Sequence, residues 1–196
     1  MNASPTPADL ADLVGPGLGD GVRSGSAEVL PVSVPGVTPT TVWLVRNDHL
    51  AHPMQAYVGR WPSGELRVLS DDQPAWFELM AKSDPKIDTA ATALDYVRRF
   101  LEVTRGSSVI VREVSGPEDL HWRPGSADEE ERRAVFLAGP EIAGPVAGRV
   151  DDGFHVELTL VVDQRIQRNL FDVTPDGRIT ASFRLLAQDL PLPIIR

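Results

Sequence analysis

The sequence predicts an α+β domain in which a curved antiparallel sheet packs on a long buried helix, with additional strands on its N-terminal side. Three observations carry this expectation. Short runs rich in β-branched and aromatic residues recur between turn residues over 29–70 and over 142–187. The stretch 89–105 instead carries polar residues spaced alternately four and three apart, which is the helical period. Its 196 residues are enough to bury a core without a metal or disulfide staple.

The elements follow in order. Thr6-Pro7-Ala8-Asp9 reads as a helix start, with Thr6 as N-cap, Pro7 at the first helical position and Asp9 near the positive helix end. That helix can run only to Val14, because Gly15-Pro16-Gly17-Leu18-Gly19-Asp20-Gly21 follows. The glycine run fits neither dinucleotide spacing nor a Walker A loop: no strand precedes it and no Lys-Ser/Thr follows. It reads as a linker. Residues 1–28 are therefore expected to be a flexible segment with a short helix, and 29–196 a single α+β domain.

Strands are expected at 29–34, 40–46, 54–59 and 66–70, separated by Pro35-Gly36, Asn47-Asp48 and Pro62-Ser63-Gly64. A helix over 73–82, capped by Asp72, supplies Trp76, Phe77, Leu79 and Met80. In the long helix, Asp88, Thr92, Asp95, Arg99 and Glu102 form one polar stripe. Ala90, Ala91, Leu94, Val97, Phe100 and Leu101 lie outside it, so burial on all other sides is expected, and Gly106 stops the helix. A strand over 107–114 leads into a loop containing His121-Trp122-Arg123-Pro124. Ser126-Ala127-Asp128-Glu129 is a capping box that opens a helix to about residue 137, with its acids where the helix dipole favours them.

The C-terminal third reads as a meander with strands near 142–150, 154–162, 165–174 and 178–187. A two-residue loop at Asp163-Gln164 pairs Leu160 with Gln167, Leu158 with Asn169 and Val156 with Phe171. A three-residue loop at Pro175-Asp176-Gly177 pairs Val173 with Ile179, Phe171 with Ala181 and Asn169 with Phe183. One face then holds Val156, Leu158, Leu160, Phe171, Val173, Ile179, Ala181, Phe183 and Leu185, and is expected to pack on the long helix. The opposite, solvated face holds His155, Glu157, Thr159, Arg168, Asp172, Thr180, Ser182 and Arg184. The tail Leu190-Pro191-Leu192-Pro193 cannot continue as a central strand.

Gln167 and Asn169 are polar intruders on the apolar face, where an unpaired amide costs on the order of 1–3 kcal/mol. Either they bond backbone near the sheet edge, or they anchor a small apolar ligand in a cavity between sheet and helix. The candidate ligand-contacting set is Gln167 and Asn169, with Phe171, Phe183 and Trp122 as apolar walls. Other constellations are weaker. Asp48-His49-Leu50-Ala51-His52 lacks an evident third ligand and reads as an exposed turn, so no metal is expected. His155 and Asp172 face each other, which is an ordinary cross-strand pair or the minimum of a general base. Thr159 opposite Arg168 reads as surface pairing.

Composition narrows the function classes. With 42% hydrophobic and 24% charged residues the chain is ordinary globular protein. The absence of cysteine excludes a disulfide framework, a thiolate nucleophile, cysteine-ligated zinc and iron–sulfur clusters. A net charge of −9 without a basic stripe argues against a nucleic acid partner. No run approaches the roughly 18 apolar residues that would span a bilayer, so no membrane partner is expected. The opening Met1-Asn2-Ala3-Ser4-Pro5 has no basic residue and no apolar h-region, so no secretory signal is expected and the reading is cytoplasmic. Seventeen arginines against Lys82 and Lys86 read as the codon bias of a GC-rich bacterial genome.

The element order from about Thr89 to Leu190 resembles the NTF2-like or cystatin-like architecture, a curved sheet wrapped on a helix. That resemblance rests on element order, and its relatives include isomerases, dehydratases, transport and scaffold proteins, so it implies no catalytic residue. The expectation is a non-catalytic accessory or protein-interaction domain, with a homo-oligomer or another protein as partner, using apolar residues of the tail (Leu190 to Ile195) and Trp122. The alternative is a small-molecule binder or cofactor-free enzyme built on the sheet–helix cavity.

Overall fold

In the computed structural model, which describes residues 5–39, 41–50, 52, 54–106, 111–139 and 142–192, the chain is α+β with two antiparallel sheets. It divides into two compact units, and the long helix passes from one to the other between Val97 and Arg98.

The first unit begins with helix α1 (Pro7–Ala11), where Thr6 and Asp9 form a capping box. The glycine-rich stretch that suggests a linker is instead helix α2 (Pro16–Ser24). The physical reason is close packing. A Cβ at Gly19 would collide with the backbone carbonyl of Ala11, and one at Gly21 would sit 2.5 Å from the Asn47 side-chain nitrogen. Glycine weakens a helix by about 1 kcal/mol relative to alanine. Here it lets α2 lie against α1 and the sheet, with Leu18 and Val22 buried beside Leu10, Val45, Ala56 and Val58. Gly25, at φ +75°, supplies the left-handed residue that ends the helix.

Strands β1 (Glu28–Val32), β2 (Val42–Asn47), β3 (Met54–Arg60) and β4 (Leu66–Val68) pair in chain order as a four-stranded meander. Helices α1 and α2 cover the face carrying Val45, Ala56 and Val58. Helix α3 (Gln73–Ser83) covers the other, where Gly59 admits Leu79: a Cβ there would lie 2.7 Å from its methyl group. Asp72 caps α3 as expected, accepting from the Ala75 amide at 2.9 Å.

Helix α4 (Ala90–Thr104) buries Ala93, Tyr96, Val97, Phe100 and Val103. These recur at spacings of three, one, three and three, which is a single face. Ala91 is exposed and Leu94 and Leu101 are half-exposed, so α4 carries one buried stripe rather than one solvated stripe. Phe100 stacks on Phe77 at 5.4 Å, and Glu102 accepts from the Tyr57 hydroxyl and from Arg99, both at 2.6 Å. Burial, followed by the bond to that carboxylate, pushes the Tyr57 phenol well above its ordinary pKa.

The second unit holds β5 (Val111–Val114), helix α5 (Ala127–Leu137) and the strands β6 (Val146–Val150), β7 (Gly153–Val162), β8 (Arg165–Val173) and β9 (Ile179–Ala187). The expected start of a strand at 107–110 lies outside the described residues. The sheet order is β5-β7-β8-β9, with β6 alongside the first half of β7. Every pairing expected from the two turns is present, including Leu158 with Asn169 and Asn169 with Phe183. Asp163 at φ +55° and Gly177 at φ +78° make those turns. A bulge then opposes Ile166 to Ala187 but Gln167 to Leu185, leaving Leu186 as the extra residue.

The two faces of this sheet differ from expectation at both ends. Val156, Leu158, Leu160, Phe171 and Val173 are buried, yet Ala181, Phe183 and Leu185 on β9 are exposed. The opposite face is not uniformly solvated either. Val114, Val161 and Ile166 join Phe136 of α5, Leu120, Ile142, Leu190 and Leu192 in a second core. The tail leucines, read from sequence as an available apolar surface, are thus interior, and the Arg123 amide holds that tail by donating to the Pro191 carbonyl at 2.9 Å.

Candidate functional site

Strand β9 is the last strand of its sheet and among the described residues has a ladder partner on one side only. It is nine residues long, contains no proline, and is exposed from Thr180 through Leu185. Side chains alternate along a strand, so Ile179, Ala181, Phe183 and Leu185 project as one apolar row. Phe183 is 62% exposed and Leu185 44% exposed. On the other face the row is Thr180, Ser182 and Arg184. A strand of this length normally has its edge blunted by proline, charge, a bulge or a covering element. Here the bulge comes only at Leu186, past the exposed row.

Beyond the bulge, Leu186 and Ala187 turn toward α5. With Val135, Phe136 and Leu190 they form the apolar part of a cavity of about 550 Å³, rimmed by Asp128, Glu131, Arg132 and Gln188. Arg132 closes one side by donating from Nε to the Asp189 carbonyl at 3.1 Å. Asp128 enters the rim from the first turn of α5, where the helix dipole favours acids, and Glu131 and Arg132 follow from the next turn. Glu129 is held below the usual carboxylate range first by the Ser126 amide and then by Arg123.

Of the five residues expected to contact a ligand, four (Gln167, Asn169, Phe171 and Phe183) are neighbours on one face of the second sheet and Trp122 is apart from them. Gln167 is 6% exposed and Phe171 2% exposed, and the Asn169 amide donates to the Gln167 carbonyl at 3.3 Å, the backbone-satisfying arrangement. Trp122 belongs to the other face. It packs against the second core, 6.5 Å from Phe136, with Arg133 stacked 4.7 Å above its ring. None of these five residues lines the cavity beside α5.

The outer-face pairs are more connected than sequence suggested. His155 Nδ1 lies 2.8 Å from Asp172 Oδ1, and its Nε2 lies 3.4 Å from Glu157. Arg168 donates to Glu157 at 2.8 Å, to Thr159 at 3.0 Å and to the Ala143 and Gly144 carbonyls. Thr159 is fully buried and donates to the same Ala143 carbonyl, so Thr159 and Arg168 are not a surface pair. Each group in this chain is committed to a neighbour, and the geometry is that of a clamp fastening residues 143–144 onto the sheet. The Arg168 bond, then charge from Arg168 and His155, keeps Glu157 ionised to lower pH than usual.

His49 and His52 are both exposed beyond the end of β2. Among the described residues no group of three or more histidine, aspartate or glutamate side chains is placed to hold a metal, and no helix is long and apolar enough to cross a membrane. The apolar row on β9 was legible in one respect: Ile179, Ala181, Phe183 and Leu185 alternate with polar residues in the sequence. The cavity beside α5 had no sequence signal, because it depends on the bulge at Leu186. Comparison with family models, with curated proteins and with solved structures finds no match to this chain.

Proposed function

We propose that this chain is a non-catalytic protein-interaction domain of a bacterial cytoplasm that works through the free edge of β9. The observation that carries this reading is the nine-residue edge strand with Phe183 and Leu185 exposed on one side. Unpaired strand edges bind extended partners by main-chain hydrogen bonds, and alternate side chains select them. Contiguous exposed apolar residues on a folded domain mark interaction surfaces. The interacting surface in this reading is β9, in place of the buried tail leucines. The order of helix, strand and meander that resembles NTF2-like or cystatin-like domains is compatible with scaffold and transport roles and adds no catalytic requirement.

A photo-activatable side chain at position 183 tests it in cells producing the protein, with position 63, on an exposed turn of the first unit, as control. Specific protein adducts at 183 and not at 63 are expected; equal yields, or none at either position, would sink the reading. A second reading, binding of a small apolar ligand, draws on the cavity beside α5, whose volume of about 550 Å³ suits one. A fluorescent apolar probe displaced by Val135→Arg would support it, and a probe signal unchanged by that substitution would remove it.

A further inference from the structure

Resting on the second reading, of the cavity beside α5 as a ligand site, we propose that its occupant is a small ammonium compound, one protonated amine on an apolar body. The cavity is lined along one stripe of α5: Asp128, Glu131, Arg132, Val135, Phe136 and Gly139. Those positions step by three, one, three, one and three, which is the helical period, so a single face of the helix borders the cavity. The two ends of that face differ. The N-terminal end is charged, and the C-terminal end, together with Leu186 and Leu190, is apolar.

Charge is sorted on α5 so that the cavity keeps an acidic rim. Glu129 pairs with Arg123 at 2.6 Å and Glu130 with Arg133 at 3.3 Å, and neither acid lines the cavity. Asp128 and Glu131 do line it, and neither has an ion pair among the described residues. Arg132 follows Asp128 by four residues, the favourable order for an acid–base pair on a helix. Its Nε is instead committed to the Asp189 carbonyl at 3.1 Å. Glu131 has Ala127 and Val135 four residues away on either side, so its own helix face supplies no cation. The helix dipole accounts for acids in the first turn, and Glu131 lies beyond it. The rim therefore sets two carboxylates against one guanidinium above an apolar floor. An ammonium group there meets both carboxylates while its hydrocarbon covers Val135, which is 67% exposed. A carboxylate or phosphate reaching for Arg132 would sit beside Asp128 and Glu131, where like charge repels it.

Three ligands with the same ten-carbon chain isolate the head group: decylamine, decanol and decanoate. Each is titrated calorimetrically into the full chain, below the concentration at which it self-associates. Exposed ion pairs are individually weak, so two of them are expected to favour decylamine over decanol by roughly tenfold, with decanoate weakest. Asp128→Asn combined with Glu131→Gln should bring that ratio close to one. Asp151→Asn combined with Asp152→Asn makes the same charge change on the exposed turn between β6 and β7 and should leave the ratio intact. That control separates the rim from the chain's overall charge of −9. Val135→Arg should weaken decylamine and decanol alike, which places both in the cavity, and circular dichroism equal to wild type keeps each loss interpretable. Four results would overturn the cation while leaving the cavity a ligand site: equal affinity for amine and alcohol, tightest binding by decanoate, a preference that survives removal of the two rim acids, or one lost equally in the turn control. No binding by any of the three, or binding indifferent to Val135→Arg, would remove both.

Discussion

The chain contains two antiparallel meanders that solve the same problem differently. In the first unit the outermost strands are guarded. β1 is five residues long, contains Pro31, which has no amide hydrogen, and carries Glu28 paired with Arg46; β4 is only three residues. Helices cover both of that sheet's faces. In the second unit the outermost strand β9 is nine residues long, lacks proline, and leaves its apolar row in solvent. Sheets without a use for an edge blunt it, because a bare edge aggregates. The contrast within one chain is what supports the proposal that β9 is an interaction edge.

If that contrast is right, two phenylalanines separated by one strand should behave oppositely. Phe171 on β8 is buried, and Phe171→Ala is expected to destabilise the second unit by about 3–5 kcal/mol, the range for a core aromatic. Equilibrium urea unfolding measures it, and a loss under about 1 kcal/mol would mean that the sheet is less covered at β8 than it looks. The first unit offers the matching test on its covering helices. Gly19→Ala adds helix propensity worth about 1 kcal/mol but drives a methyl into the Ala11 carbonyl. Because the obstacle is backbone, overpacking should win, with a net loss of about 1–3 kcal/mol. Gly148→Ala on β6, where nothing lies within 4 Å, should be nearly silent by the same measurement.

The clamp on the second sheet predicts a pH dependence. Glu157 is held below the ordinary carboxylate range, so its contribution is complete above the unfolded value near 4.3 and fades as pH falls through the lower folded value. Glu157→Gln should cost about 1–2 kcal/mol at neutral pH, since it leaves the mostly buried Arg168 short of its counter-charge. Urea midpoints of wild type and variant should keep their gap above about pH 5 and converge as pH falls below about 4.3 toward the lower folded value. A gap that stays constant over that range would show that the Arg168–Glu157 bond adds nothing through charge.

Much of the fold was legible because its signals are local. Asp72, Thr6 and Ser126 announce their helices by capping chemistry, and the turns at Asp163-Gln164 and Pro175–Gly177 fix a register that repeats through three strands. What failed was long-range. Gly17, Gly19 and Gly21 look like a linker until the surfaces they must approach, Met54, Ala11 and Asn47, are known. Leu190 and Leu192 look like a sticky tail until Val161 and Ile166 are found turned toward them. Gln167 and Asn169 stood out as polar residues on an apolar row. The informative residues of that row were instead Phe183 and Leu185, whose hydrophobicity is ordinary and whose exposure no local pattern encodes.

The smallest expected effect is the sharpest discriminator. Phe183→Thr keeps a β-branched residue in the strand and removes an aromatic ring that is mostly in solvent already. At low protein concentration its unfolding free energy should therefore match wild type to within about 0.5 kcal/mol, at most about a sixth of the Phe171→Ala effect. A loss approaching that of Phe171→Ala would mean that Phe183 belongs to the core of the fold rather than to an open edge, and the difference between the two meanders would then lack the consequence drawn from it.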